Sequence, residues 1–324
     1  MSNYKKALLI VNPVAGQGWG PRLGQRLKRS LAFRDVVGSI EVTQGQDDAK
    51  RWAESAAAKD FDLIVVIGGD GTVGEVVAGQ TLSDKKIPIA IIPVGTANVV
   101  SLALSLPWFP GLATDKILEA RTLLFDVGYV PQQDRYFFLM AALGYPARVI
   151  NDSPRHLKNL FGIFTYLVAG VRNALNLDEF QIRIQDEQGE NRFFRGNTIL
   201  VSNIGKINDL NFKINPHTSA HDGKFDLTVI SSRSVWSFLV SLFRIIVSRQ
   251  NKSSLVHNFQ AGKVFIQTDP PVQVQIDGED LGLTPFEAEI HPHGVLLVVG
   301  KRYSENDRKV SPLWAFKRLR KPHS

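Results

Sequence analysis

The first third of the chain alternates between short apolar runs and longer stretches of mixed polarity. Three apolar runs are each closed by Asn-Pro, Gly-Gly or Pro, which is the pattern of buried strands. They lie at residues 7–11, 61–67 and 87–92. Stretches of helical composition follow the same order, at residues 22–33, 47–59 and 73–82. Strands that alternate with helices predict parallel βαβ units.

After about residue 126 the pattern changes to alternating runs separated by turn residues, which predicts an antiparallel β-domain. The runs lie at residues 135–143, 181–185, 197–202, 225–230, 264–268 and 272–276. Two helical candidates interrupt them, at residues 160–175 and 235–247, and neither is apolar for long enough to span a membrane. The second is apolar on nearly all sides, so it is either a core helix or a contact for an acyl chain.

Composition narrows the class of protein. A hydrophobic content of 44% and a charged content of 21% are those of a folded globular chain. The absence of cysteine excludes disulfides, thiolate nucleophiles and cysteine-ligated metals. The N-terminal residues lack the pattern of a signal peptide, so we expect a cytoplasmic protein.

Positive charge is concentrated at the C-terminus. Most of the net charge of +7 comes from residues 301–324, where Trp314 and Phe316 stand among Lys and Arg. This segment is either a solubilising tail or a peripheral contact with anionic lipid at the inner membrane face. The rest of the chain is nearly neutral and contains no nucleic-acid-binding module, so we expect no nucleic-acid partner.

The sequence Gly68-Gly69-Asp70-Gly71-Thr72 lies between a predicted strand and a predicted helix. Glycines there let backbone N–H groups approach a phosphate, and the helix N-terminus favours negative charge. Asp70 would repel that phosphate, which predicts a Mg²⁺ ion between them. The alternative is a glycine-rich turn without a ligand.

Two further loops follow predicted strands. They are Asn12-Pro13-Val14-Ala15-Gly16 and Pro93-Val94-Gly95-Thr96-Ala97-Asn98. Thr96 and Asn98 can offer hydrogen bonds to a phosphate or a ribose. Since all three loops follow the carboxyl ends of parallel strands, we expect them to converge where such sheets bind ligands.

These loops, together with HDGKFDL at 221–227 and QIDGED at 275–280, resemble the motifs of the diacylglycerol, sphingosine and ceramide kinase superfamily, and of its bacterial YegS-like lipid kinases in particular. The resemblance implies a Rossmann-like, NAD kinase-like α/β domain at residues 1–127 and an antiparallel β-sandwich at 128–300. The active site would lie in the cleft between them. The tail at 301–324 would either pack on the first domain or contact the membrane.

The resemblance also implies roles for individual residues. The ATP site would comprise Asn12, Thr43, Gly68, Gly69, Asp70, Gly71, Thr72, Val73, Gly74 and Thr96. Either Glu279 or Asp277 would be the general base, with Asp70 as the third catalytic carboxylate. Asp222, with backbone carbonyls near Ser219 and Lys224, would hold a structural Mg²⁺.

Two observations qualify this interpretation. Asp-Gly between apolar runs is also a signal for a hairpin turn, so Asp222-Gly223 and Asp277-Gly278 are compatible with turns. Pro146 stands where family members usually carry an acidic residue. This departure concerns the substrate more than the nucleotide.

The sequence therefore predicts an ATP- and Mg²⁺-dependent lipid kinase that acts on diacylglycerol or a related lipid at the membrane surface. One alternative is a nicotinamide-dinucleotide kinase. Another is a catalytically silent lipid-binding protein of the same fold. A homodimer is compatible with the sequence, which contains no feature that requires one.

Overall fold

The computed structural model describes residues 4–106, 117–145, 179–204, 206–207, 212–213, 219–231 and 256–303. The helical candidates at 160–175 and 235–247, Pro146 and the tail beyond Tyr303 lie outside these ranges. The α-helices are α1 Gly20–Ala32, α2 Asp48–Ser55, α3 Asp70–Leu82 and α4 Val99–Ala103. The strands are β1 Lys6–Val11, β2 Val37–Val42, β3 Leu63–Gly68, β4 Ile89–Pro93, β5 Thr122–Val130, β6 Arg135–Phe137, β7 Met140–Gly144, β8 Phe180–Asp186, β9 Asn191–Gly196, β10 Thr198–Ser202, β11 Lys206–Ile207, β12 Phe212–Lys213, β13 Phe225–Ile230, β14 Val256–Ala261, β15 Lys263–Asp269, β16 Gln273–Ile276, β17 Glu279–Leu283 and β18 Phe286–Val298.

The first strands form a parallel sheet in the order β2-β1-β3-β4. Every residue of β3 and β4 is buried, as their uninterrupted apolar runs predict. Helix α1 buries Gly20, Gly24, Leu27 and Leu31, which share one face at helical spacing. The predicted parallel βαβ units are therefore confirmed.

Strand β18 extends this sheet into the second half of the chain. Its Leu297 pairs in parallel with Ile89 of β4, while the rest of the strand pairs antiparallel with β5 and β15. The sheet then continues through β15, β8 and β9. Strand β5 runs through position 127, and the division of the chain at that position stays a prediction.

A second, antiparallel sheet has the order β14-β13-β10-β7-β16-β17. It packs on the half of the first sheet formed by β8, β15 and β18, and the two share one apolar core. In β8 the inward residues Phe180, Ile182 and Ile184 are buried, whereas Gln181 and Arg183 between them are exposed. This confirms the β-sandwich.

The strand predicted over residues 135–143 is in fact two strands, β6 and β7. Phe138 and Leu139 between them are buried, so the apolar run conceals the break. Their N–H groups donate to the carboxylate of Asp277. The interruption therefore leaves these two N–H groups directed at Asp277.

Candidate active site

Hydrogen bonds join the three loops that follow β1, β3 and β4. Asn12 Nδ2 donates to Thr72 Oγ1 over 3.0 Å, which links the first loop to the glycine loop. The N–H of Val94 donates to the carbonyl of Gly68 over 3.1 Å, which links the third loop to it. The loops converge, as their positions at the ends of parallel strands predict.

Glycines allow this close approach. A Cβ atom at Gly95 would lie 2.5 Å from the Cα atom of Gly69. A Cβ atom at Gly16, where φ is +60°, would lie 3.1 Å from the carbonyl oxygen of Val94. The backbones of the loops touch at points where any side chain would separate them.

Gly71 and Gly74 lie on the first turns of α3 and leave space beside the helix. A Cβ atom at Gly74 would meet nothing within 4 Å among the described residues, and one at Gly71 would have Glu279 Oε1 at 4.0 Å. The amides of a first helical turn have no acceptor within the helix, and the N-terminus carries partial positive charge. An open surface at such a terminus can hold a phosphate group.

The other residues predicted to surround a nucleotide differ in what they present. Thr43 follows β2, and its N–H donates to the carbonyl of Val11 over 2.9 Å. The side chain of Val73 is buried, so this residue offers the loop no side-chain group. Thr96 is exposed on the third loop.

Asn98 closes the third loop instead of facing a ligand. Its Oδ1 accepts the N–H of Gly95 over 2.9 Å, and its Nδ2 donates to the carbonyl of Gly95 over 2.7 Å. The amide that we expected to face a phosphate or a ribose is therefore bonded within its own loop.

Asp70 binds the first turn of α4. Its Oδ2 accepts the N–H of Val99 over 3.1 Å and its Oδ1 accepts the N–H of Val100 over 3.0 Å. Burial raises the pKa of Asp70, and the hydrogen bonds from α4 oppose the rise. The carboxylate thus connects the glycine loop to the third loop.

Asp277 is the first residue of the turn between β16 and β17. Its carboxylate accepts N–H groups from Phe138 over 2.6 Å, Leu139 over 2.9 Å and Met140 over 3.0 Å. Burial raises the pKa of Asp277 to about 6; these bonds oppose the rise, and the charge of Asp70 adds to it.

Glu279 is the first residue after the turn of the same hairpin. Asp277 and Gly278 both have positive φ, so Asp277-Gly278 is the hairpin turn, and that turn presents Glu279 on the other side. The Glu279 side chain is 57% exposed and pairs with the guanidinium of Arg135. Its Oε1 faces Gly71, so a carboxylate of the β-sandwich faces the glycine loop.

The segment from Ser219 to Lys224 is a turn that is hydrogen-bonded to the buried carboxylate of Asp126. Asp126 Oδ2 accepts the N–H of Gly223 over 2.7 Å, while Asp222 Oδ1 accepts the N–H of Lys224 over 3.1 Å. Ser219 Oγ accepts the N–H of His221 over 3.3 Å. Burial raises the pKa of Asp222, and the charge of Asp126 adds to the rise.

Two family profiles together match most of the chain. The profile of the diacylglycerol kinase catalytic domain matches residues 6–130. The profile of the YegS C-terminal NAD kinase beta sandwich-like domain matches residues 140–299. The chain belongs to the diacylglycerol kinase family.

Individual members of the diacylglycerol kinase family and related proteins match most of the chain. A diacylglycerol kinase of Bacillus subtilis is 28% identical over 289 residues, covering 87% of this chain and 92% of that protein. An uncharacterised protein of Synechocystis is 30% identical over 308 residues, covering 90% of this chain and 70% of that protein. A crystal structure of a candidate diacylglycerol kinase from Bacillus anthracis superimposes with a TM-score of 0.78 at 26% identity, covering 93% of this chain and 97% of that one.

Two residues that stabilise the candidate site, Arg135 and Asp126, were not identified from the sequence. Arg135 pairs with Glu279 across 144 positions, and nothing in its local sequence marks it. Asp126 left a signal, since it is an acidic residue inside an otherwise apolar run and is fully buried. A buried carboxylate needs partners, and Asp126 accepts the N–H groups of Gly223 and His293.

Among the residues that the structure describes, no group of three His, Cys, Asp or Glu is arranged to hold a metal ion. Within the described residues, no helix is long and apolar enough to cross a membrane.

Proposed function

We propose that the chain is an ATP- and Mg²⁺-dependent lipid kinase that phosphorylates the hydroxyl group of diacylglycerol or a related lipid. One observation carries the proposal: Glu279 Oε1 lies 4.0 Å from the position that a Cβ atom would take at Gly71. A carboxylate able to accept a proton therefore faces a loop suited to phosphate. Phosphoryl transfer depends on that combination of positioned phosphates and a nearby base.

The geometry favours Glu279 over Asp277 as the base. Asp277 is half-buried and its carboxylate accepts three backbone N–H groups, whereas Glu279 is exposed beside the loop. In the transfer, the lipid hydroxyl oxygen forms a bond to the γ-phosphorus and the bond from that phosphorus to the oxygen of ADP breaks. The hydroxyl proton passes to Glu279. Asp277 would instead shape the hairpin that presents this base.

Carboxylates beside the loop suit a Mg²⁺ ion, which prefers oxygen ligands and keeps several waters. Two bonds from α4 leave Asp70 with further lone pairs that can accept from a metal-bound water. The raised pKa of Asp70 and of Asp277 indicates that added positive charge would stabilise both anions. When bound, Mg²⁺ would neutralise charge on the phosphates.

A structural Mg²⁺ at the turn of Ser219, Asp222 and Lys224 is a separate part of the proposal. Its support is that two carboxylates lie against this turn: Asp222 accepts the N–H of Lys224 over 3.1 Å and Asp126 accepts the N–H of Gly223 over 2.7 Å. The charge of Asp126 helps to raise the pKa of Asp222, and a cation beside the two carboxylates would offset their repulsion. The backbone carbonyls near Ser219 and Lys224 are the oxygen ligands that such an ion accepts.

The lipid acceptor requires a peripheral contact with a membrane, which we propose for the inner face. ATP-dependent transfer to mixed-micelle lipids with Mg²⁺, alongside a nicotinamide dinucleotide, tests the acceptor. Phosphorylation of a lipid supports the proposal. Transfer to the dinucleotide alone overturns it, and lipid binding without transfer would identify a silent binding protein.

We expect Glu279→Gln to lower kcat by about 100-fold or more, because the proton of the hydroxyl loses its acceptor. The KM for ATP should change less than twofold. Asp280→Asn is the matched control, since it removes the same charge from the next, exposed residue of β17. Steady-state rates of lipid phosphate formation measure both, and a Glu279→Gln enzyme with half the normal rate would disprove the assigned base.

A further inference from the structure

Arg135 pairs with Glu279, but the proposed transfer gives Arg135 no role. It begins β6 directly after Asp134, whose φ of +49° ends the turn that follows β5. Its guanidinium pairs with the carboxylate of Glu279, although the two residues belong to different sheets. The pair joins the hairpin of β5 and β6 to the hairpin of β16 and β17.

Side chains of α2 and β5 contact the residues on either side of Arg135. Lys50 Nζ of α2 lies 3.8 Å from Asp134 Oδ2 and 5.9 Å from the ring centroid of Tyr136. The rings of Tyr129 and Tyr136 are 4.7 Å apart, and the Tyr129 hydroxyl donates to Asp134 over 3.2 Å. The residues on both sides of Arg135 are therefore anchored.

Glu279 needs such a partner because its own surroundings constrain it little. Its side chain is 57% exposed, and a glutamate on a hairpin can occupy several rotamers. In the observed orientation Oε1 faces Gly71, while Oε2 contacts Arg135. An arginine fork on a fixed strand selects one carboxylate orientation more firmly than a flexible ammonium does.

We infer that Arg135 is a positioning residue, which holds the Glu279 carboxylate over the glycine loop for proton transfer. This inference rests on the proposed function. Arg135 acts through Glu279, so its removal should slow the chemical step and leave ATP binding intact. A small misplacement of a reacting group can reduce a rate by about 100-fold.

A double-mutant cycle on the full-length chain tests this. We expect Arg135→Met to lower kcat about 10- to 100-fold with the KM for ATP within twofold, and Arg135→Lys to recover part of the loss. The double variant Arg135→Met with Glu279→Gln should be no slower than Glu279→Gln alone. Arg195→Met is the control, since Arg195 is also an exposed arginine paired with a glutamate, Glu179, at 3.4 Å.

The outcomes separate this inference from the proposed function when lipid phosphorylation and ATP hydrolysis without lipid are both measured. Suppose that the wild type phosphorylates lipid. If the two losses multiply in the double variant, or if Arg135→Met raises the KM for ATP, the positioning role of Arg135 is disproved and the proposed kinase activity is kept. A rate within twofold of wild type for Arg135→Met does the same. If the wild type transfers no phosphate to lipid, and the losses in ATP hydrolysis do not multiply in the double variant, the proposed lipid acceptor is disproved and the positioning role of Arg135 is supported.

Discussion

Asp277 shows how one residue serves both the fold and the site. It occupies the left-handed region at φ +47°, which Asp tolerates better than most residues, and so begins the turn of the hairpin. Its carboxylate binds the N–H groups of Phe138 and Leu139, in the break between β6 and β7, and of Met140, the first residue of β7. These bonds favour the ionised form, whereas burial opposes it, and a pKa of about 6 shows that burial prevails.

This shift predicts how stability depends on pH. The pKa is about 6 in the folded chain and 3.8 in its ordinary environment, so the folded state binds more protons between these values. The contribution of Asp277 is therefore fully present below about pH 4, and up to roughly 3 kcal/mol is lost as the pH rises through 6. Urea unfolding of the wild type and of Asp277→Asn between pH 4 and 7 measures it. We compare slopes because Asn also loses an acceptor, and parallel slopes would contradict the prediction.

Residue types at motif spacing could be predicted, but their partners could not. Asp70, Asp277 and Glu279 stand in recognisable motifs; Asp70 begins α3, Glu279 faces Gly71, and Asp277 lies in the same hairpin as Glu279. Their hydrogen bonds depend on which distant backbone reaches them. The pairing of Glu279 with Arg135 spans 144 positions and follows from the packing of two hairpins.

At the scale of the element, α3 is tied to its neighbours at both ends. Near its start, Asp70 accepts two N–H groups of α4 and Glu75 accepts the N–H of Ala49 in α2 over 3.2 Å. Beyond its end, Lys86 Nζ donates to carbonyls of residues 80, 81 and 83 over 2.8 to 2.9 Å. Negative charge at the start of a helix and positive charge at its end both favour the helix dipole. The helix that presents the glycine loop is therefore held in place.

Lys86→Met should lower the free energy of unfolding by about 1–3 kcal/mol, because three carbonyls at the end of α3 lose a charged donor. Lys85→Met is the matched control, since the neighbouring Lys85 side chain is exposed. Urea denaturation of both variants measures the difference. Equal midpoints for the two would show that the ammonium does not stabilise the helix end.

Elements were predictable where burial made their pattern continuous. Strands β3 and β4 are wholly buried and their runs were evident, whereas β2 is an edge strand with mixed exposure. Strand β9 alternates weakly for the same reason. Strand β18 contains the sequence His-Pro-His-Gly at its irregularity, which interrupts the apolar pattern of a strand that pairs with three others.

At the scale of the whole molecule, β18 makes the two halves of the chain interdependent. Its N-terminal part contributes Phe286 and Ala288 to the core of the sandwich. Its C-terminal part contributes Val295, Leu297 and Val298 to the core of the α/β half. One strand thus belongs to both cores, and the hairpin that carries Glu279 immediately precedes it in the chain.

A fragment that ends at residue 130 should therefore not fold, although the catalytic-domain profile matches within it. It lacks Val295, Leu297, Val298 and Val299, which are buried in the α/β core. Burying each aliphatic side chain contributes about 1.5–3 kcal/mol, so their loss removes an amount comparable with the entire stability of a domain, about 5–15 kcal/mol.

Circular dichroism and tryptophan fluorescence during urea unfolding test this on the fragment and the full-length chain. We expect no cooperative transition for the fragment and coincident transitions of both probes for the full chain. Leu297→Ala in the full chain is the matched point variant, and it should lower both transitions together by about 2–5 kcal/mol. A fragment that unfolds cooperatively, or a full chain in which the two probes report separate transitions, would mean that the α/β half is stable without β18. The sandwich could then move the Glu279 hairpin relative to the glycine loop while the α/β half stays folded.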